Sequence, residues 1–224
     1  MNNISGYLVS KVVSFLMNLH IIPRPIYLTR HGESLFNVED RVGGDSDLSA
    51  KGKKYAGHLK GFFQEQKEKE KFKECRIFTS TLKRAMTTAN EIDIGEKPYY
   101  LKFLDEINTG LCDGMTYEDM KEIYPFEYQE RSNDKLRYRY PRGESYMDVI
   151  QRIEPIIFEI ERTRVPVIIV AHNAVLRCIY AYLTRHEVDN IPYLEVPLHN
   201  VIKLTPETYQ CREVRYRSSL YSLY

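Results

Sequence analysis

Pro25-Ile26-Tyr27-Leu28-Thr29-Arg30-His31-Gly32-Glu33-Ser34 is the stretch whose reading decides the fold. Ile26 to Thr29 is a short apolar run of the kind that forms a buried strand. It delivers an arginine and a histidine to the strand's C-terminal end, with a glycine next. In an open α/β sheet that end is where ligands bind. A guanidinium beside an imidazole suits a phosphoryl group: Arg30 can hold phosphate oxygens bidentately while His31 attacks phosphorus. Gly32 removes a Cβ where a ligand would press on the backbone. Alone, an Arg-His-Gly triplet is a weak signal, and its weight depends on the rest of the chain.

A second run, Val165 to Ala171, is almost unbroken in β-branched residues and ends at His172. It reads as the central strand, because strands buried on both faces lack alternation. Arg76 to Thr79 is a third strand, running into Ser80, which is read as the cap of a helix through Ile92. Ser49 caps a helix toward Lys69 with Tyr55, Leu59, Phe62 and Phe63 on one face. The charged stretch from Glu65 to Lys73 is solvated helix or loop. Thr116 opens a short helix with Asp119 as a weak capping box. Ser145 begins a helix to about Arg162, with Pro155 as a kink or local break. Val175 to Leu183 is helical. Asn200–Leu204 and Cys211–Tyr216 form a terminal strand pair. Tyr124 to Glu144 has no clear period, is dense in aromatics and arginines, and reads as a long functional loop. Such alternation implies an α/β fold: a mostly parallel central sheet flanked by helices on both faces.

The 224 residues suit one domain with an extension, residues 23–224 and 1–22. Ile4 to Ile22 carries Tyr7, Leu8, Val12, Val13, Phe15, Leu16 and Leu19 in a helical pattern, interrupted by Lys11. It reads as an amphipathic packing helix and not as a signal peptide. No apolar run approaches the ~20 residues that span a bilayer. With 32 Lys+Arg against 31 Asp+Glu, a general role on nucleic acid or a membrane surface is not favoured. Cys75, Cys112, Cys178 and Cys211 show no CxxC pair and no zinc spacing, which predicts free thiols in a cytoplasmic protein, no metal and no cofactor.

Two strands thus end in a histidine, His31 and His172, and a third leads to a helix N-terminus with Arg84 about one turn in. Neighbouring strand ends would bring both imidazoles to one crevice, where helix N–H groups favour an anion.

Thr29-Arg30-His31-Gly32-Glu33, Ser80 with Arg84, and Ala171-His172 resemble the histidine phosphatase (phosphoglycerate mutase-like) superfamily. YLTRHGESLFNVEDRVGGDSDLS (27–49), LDEINTGLCDGMTYE (104–118), YRYPRGESYMDVIQRIEP (138–155) and VPLHNVIKLTP (196–206) resemble more closely one branch. That branch is the bisphosphatase domain of the 6-phosphofructo-2-kinase/fructose-2,6-bisphosphatases, and the likeness covers nearly the whole chain after about Ile4. Ser14 to His20 resembles the segment that joins kinase to bisphosphatase there. No GxxxxGK phosphate loop occurs in the sequence, so no kinase half is expected in it.

The resemblance implies His31 as nucleophile, Glu106 as the acid at the leaving oxygen, and Arg30, Arg84 and His172 around the transferring phosphoryl group. It implies Asn37 and Gly43 near the same phosphate, with Gly43-Gly44 lending backbone N–H groups. It implies Tyr117, Arg131, Lys135, Tyr146 and Arg177 around a sugar and its second phosphate, with Asn173 where the branch usually has glutamine. Asn108 stands where an aspartate is frequent, and Asp113-Gly114 where an acidic pair is common. His20, His58, His186 and His199 match no chemical role. The implied activity is removal of the 2-phosphate of fructose 2,6-bisphosphate. The alternatives are a phosphoglycerate mutase, a phosphatase for another sugar phosphate, or a module that docks a kinase domain or self-associates through the N-terminal helix.

Overall fold

The computed structural model describes residues 10–13, 15–17, 22–207 and 210–218. Six strands form one sheet: β1 (Ile26–Arg30), β2 (Arg76–Thr79), β3 (Tyr99–Tyr100), β4 (Val167–Ala171), β5 (Asn200–Pro206) and β6 (Cys211–Arg217). Their order is β3-β2-β4-β1-β5-β6. β3, β2, β4 and β1 run parallel, and β5 and β6 continue the sheet in antiparallel pairing. The run ending at His172 is therefore central. The register pairs Arg30 with Ala171, so the two histidines leave the sheet side by side.

Both faces are apolar because successive side chains on a strand point to opposite sides. Val167, Ile169 and Ala171 of β4, with Ile26 and Leu28 of β1, pack under helices Tyr146–Arg152, Glu154–Arg162 and Asn173–Thr184. Ile168 and Val170, with Tyr27, face Tyr55, Leu59 and Phe63 of the Ala50–Glu70 helix and Ala89 of the Lys83–Asn90 helix.

Local signals act as their chemistry requires. Ser49 accepts from the Gly52 N–H. Thr116 and Ser145 form capping boxes with Asp119 and Asp148. Pro155 falls at the start of the second of two helices, with Ile153 between them, so the proline marks a break.

Three expectations need correction. Ser80 caps no helix: the helix begins at Lys83 behind Leu82, which makes no side-chain cap bond. The Tyr124–Glu144 region contains a helix, Pro125–Asn133, none of whose residues is buried. Lacking an apolar face, it shows no period to read. Val188–Tyr193 forms a 3₁₀ helix that the sequence reading passed over.

At the N-terminus, residues 10–13 and 15–17 are helical. Lys11 pairs with Glu154 at 2.6 Å, and Phe15 meets Phe158 edge-on at 5.2 Å. Val12, Val13, Leu16 and Met17 are exposed. Ser14, Tyr7, Leu8, Leu19 and His20 lie outside the described residues. Cys75, Cys112 and Cys178 are buried free thiols, and Cys211 is half-buried.

Candidate active site

A cavity of about 590 Å³ opens at the C-terminal ends of β1 and β4. Arg30, His31, Asn37, Gly43, Arg84, Glu106, Tyr117, Arg131, Lys135, Tyr146, Asn173 and Arg177 all line it. His172 does not: it is fully buried, with its ring 4.9 Å from that of His31.

His31 is held for attack through one nitrogen. Its Nδ1–H donates to the Gly32 carbonyl at 2.7 Å, a bond only the protonated nitrogen can make. Nε2 therefore carries the lone pair. The Arg84 Nε–H donates to it at 3.1 Å, while another guanidinium N–H of Arg84 reaches the Gly44 carbonyl at 2.6 Å. Burial, followed by the charges of Arg84 and Arg30, holds the His31 imidazole well below its ordinary range. The ring is neutral at pH 7, as a nucleophile must be. A glycine beside it is needed sterically: a Cβ on Gly32 would lie 2.4 Å from the Gly52 carbonyl oxygen.

Glu106 is fixed at the start of the Asn173–Thr184 helix. Its oxygens accept from the N–H groups of Ile107 (2.9 Å), Asn173 (3.1 Å) and Ala174 (3.2 Å). The Glu106 carboxyl group thus occupies the helix end beside His172. The anion site expected at the other helix does not exist as such. Asp45 accepts from Lys83 N–H, Asp105 accepts from Thr81 N–H, and Ser80 Oγ accepts from Leu82 N–H, so the protein's own oxygens fill that terminus. Gly44 N–H is likewise taken, donating to Asp113 Oδ1 at 2.7 Å. Gly43 at φ +71° leaves no room for a Cβ, which would meet Asp113 and Thr109. Asn37 Oδ1 accepts from Ser34 N–H and Oγ–H in a capping box, which leaves its Nδ2 to the cavity.

Beyond the histidine lies a second group of cations. Arg131 donates to Tyr140 and Tyr117 hydroxyls at 2.8 and 2.9 Å, with its guanidinium 4.7 Å from the Tyr117 ring centre. Arg177 donates to the Leu194 carbonyl at 2.6 Å and the Tyr146 hydroxyl at 3.0 Å. Lys135 donates to the Pro192 carbonyl at 3.1 Å. Among the described residues, none of Arg30, Arg84, Arg131, Lys135 and Arg177 forms an ion pair with a carboxylate within 4 Å. The consequence is electrostatic. Burial, then Arg177 and Arg131, push the Lys135 ammonium down to about 8. Burial also pushes Arg30 down to about 10, with Arg177 and Arg84 adding to the effect. Arg177 thus acts on both groups, and the cations run as one series from Arg84 to Lys135. Such clustering is unfavourable until an anion enters.

A family model described as histidine phosphatase superfamily (branch 1) matches residues 26–219. The chain belongs to that superfamily. Like other members of the histidine phosphatase superfamily, it has relatives in both sequence and structure. It is 52% identical over 216 residues to an Arabidopsis thaliana 6-phosphofructo-2-kinase/fructose-2,6-bisphosphatase, covering 96% of this chain and 29% of that one. It is 45% identical over 221 residues to the Caenorhabditis elegans protein of the same name, covering 99% and 47%. The chain therefore spans less than half the length of these curated relatives. The alpha-ribazole phosphatase from Shigella flexneri shares the fold with a TM-score of 0.76 at 22% identity, covering 87% of this chain and 96% of that one.

Residues that the sequence reading missed complete the site. Tyr140, in the aromatic stretch, is buried and bonded to Arg131, and Thr88 Oγ1 accepts from Gly32 N–H at 3.0 Å. Neither lies in a recognisable pattern. His199, read as structural, is fully buried against Tyr55 and accepts from Glu33 N–H. His58 and His186 are exposed. Asn108 accepts from Gly110 N–H, and Asp113 clasps Gly44, so both replaced positions hold loops.

Proposed function

We propose that this chain hydrolyses the 2-phosphate of fructose 2,6-bisphosphate, giving fructose 6-phosphate and phosphate through a phosphohistidine on His31. The observation that carries this reading is the series of cations, unpaired with carboxylates, running from the nucleophile to the loop side chains. It suits a ligand with two phosphates. Phenols of Tyr117 and Tyr146 lie among these cations, where sugar hydroxyls need partners. The buried Asn173 Oδ1 has no hydrogen-bond partner among the described residues and suits a sugar hydroxyl donor. The names of the longer relatives point to the same substrate.

His31 Nε2 attacks phosphorus and the sugar oxygen leaves. For this the Arg84 N–H must pass from Nε2 to a phosphoryl oxygen, which frees the lone pair and neutralises charge where it develops. Arg30 neutralises a remaining oxygen, and His172, buried at the cavity wall with its ring 4.9 Å from that of His31, reaches another through Nδ1 as the phosphoryl group approaches His31. Glu106 gives its proton to the departing oxygen. Its carboxylate then takes a proton from the water that cleaves the phosphohistidine. The N-terminal helix, with its exposed Val12, Val13, Leu16 and Met17, is proposed to abut a kinase domain. The free thiols agree with a cytoplasmic setting.

Incubation with fructose 2,6-bisphosphate is the test, and phosphate release is the expected result. Neither phosphate nor an acid-labile phosphoprotein would sink the proposal. A phosphoglycerate mutase or a phosphatase for another ester is separated by turnover on a panel of esters. Lys135→Ala is expected to weaken the bisphosphate selectively, and an unchanged preference would remove the second phosphate site.

A further inference from the structure

His172 is completely buried, yet only one of its ring nitrogens has a hydrogen-bond partner. Nε2 lies 2.8 Å from Ser80 Oγ, while among the described residues Nδ1 has none. The chain of bonds behind Ser80 settles which nitrogen carries the proton. Asp105 Oδ1 is 2.7 Å from Ser80 Oγ and also accepts from Thr81 N–H at 2.7 Å and Thr81 Oγ–H at 2.9 Å. A carboxylate only accepts, so the single Ser80 hydroxyl proton goes to Asp105. Leu82 N–H donates to the same Ser80 oxygen at 3.0 Å, filling one lone pair. The other lone pair accepts from His172, whose Nε2 must then be the protonated nitrogen.

We propose that Ser80 and Asp105 are positioning residues. They hold His172 in the Nε2–H form, so that Nδ1 is the nitrogen left for the phosphoryl group. This rests on the reading of the cavity as a phosphoryl-transfer site. A phosphoryl oxygen is an acceptor, so Nδ1 must be protonated to meet it. When a phosphate ester binds as its monoanion, its O–H proton passes to Nδ1. The ester becomes a dianion and His172 an imidazolium that donates from both nitrogens. Asp105, two hydrogen bonds away, balances the new charge, as a carboxylate behind a histidine does elsewhere. Burial, and then Arg84, His31, Arg30 and Arg152, the positive or titratable groups around His172, keep it neutral until the anion arrives. Glu106, the acidic group beside it, accepts from the N–H groups of the two residues after His172.

The test is long-range ¹H–¹⁵N NMR of histidine-labelled protein, with and without inorganic phosphate. The free protein is expected to show His172 protonated at Nε2 alone, and the phosphate-loaded protein to show both nitrogens protonated. An Nδ1–H form in the free protein, or a neutral ring with phosphate bound, would overturn the proposal. Neither result depends on which ester is the substrate. In parallel, Asp105→Asn is expected to lower kcat by about tenfold with KM within twofold. It should also narrow the pH profile on the alkaline side, where the imidazolium loses its proton sooner. Ser80→Thr, which keeps the hydroxyl, should restore more activity than Ser80→Ala. Equal kcat, KM and pH profile in Asp105→Asn and the parent would contradict the role given to Asp105.

Discussion

At the scale of single residues, the site turns on one N–H aimed at one lone pair. Arg84 Nε–H on His31 Nε2 both orients the imidazole and waits for a phosphoryl oxygen. Arg84→Ala is expected to lower kcat about 10²–10³-fold, the usual cost of one transition-state donor. Arg84→Lys should recover little, because a single ammonium nitrogen lacks the rigid fork that reaches His31 through Nε and Gly44 through a second nitrogen. Steady-state kinetics check both. Glu106→Gln keeps the shape without the proton and is expected to lose about 10²–10⁴-fold. Buried neutral histidines also set the acid stability. His31 and His172 sit well below their ordinary range and His199 is pushed down to about 4, burial being the main cause in each. Below pH ~6.5 the unfolded chain takes up protons there that the folded chain refuses, so stability falls by about 1.4 kcal/mol per pH unit for each histidine. Urea melts at pH 7, 6 and 5 should show that loss, and His199→Leu should reduce the slope. His31 was legible because it follows β1 directly, and Arg84 because it lies in the first turn of the helix after β2. His172's partner was not, because Ser80 and Asp105 meet it from distant segments and no spacing reveals a tertiary hydrogen bond.

At the scale of elements, the loop after β1 is pressed against the start of the Ala50–Glu70 helix. A Cβ on Gly52 would lie 2.1 Å from the Glu33 carbonyl oxygen. Gly→Ala inside a helix ordinarily stabilises by about 1 kcal/mol. Gly52→Ala is expected to do the opposite and to lower activity by displacing His31. A stabilised, fully active variant, judged by urea midpoint and turnover, would contradict this packing. Ser49 fastens the same junction, accepting from Gly52 N–H and donating to Glu33 at 2.7 Å. The helices with an apolar face and a side-chain cap were readable in the sequence. The exposed Pro125–Asn133 helix was not, since nothing in it faces a core. The Lys83–Asn90 helix was misplaced at its start because the serine that looked like its cap is bonded to the site instead.

At the scale of the whole molecule, the C-terminal ends of β1 and β4 gather groups that are far apart in sequence: His31, Arg84, Glu106, Lys135 and His172. The gathered cations make the free protein wait for an anion. Phosphate should therefore raise the melting temperature, with a gain of about 2.7 kcal/mol at a hundred times its Kd. A thermal shift in Arg30→Ala equal to the parent's would place the anion elsewhere. The parallel strands at the sheet's centre were legible from one apolar and one β-branched run, each ending in histidine. The terminal pair of strands was legible as two strand-like runs, whereas its antiparallel pairing and the depth of His172 behind His31 belong to packing alone. The central claim is that phosphoryl groups pass through His31. Its most direct test mixes the protein with fructose 2,6-bisphosphate labelled in the 2-phosphate and quenches it in base within milliseconds. The account predicts an acid-labile, base-stable label on the peptide carrying His31, lost in His31→Ala together with turnover. Rapid phosphate release with no label on that peptide would contradict it.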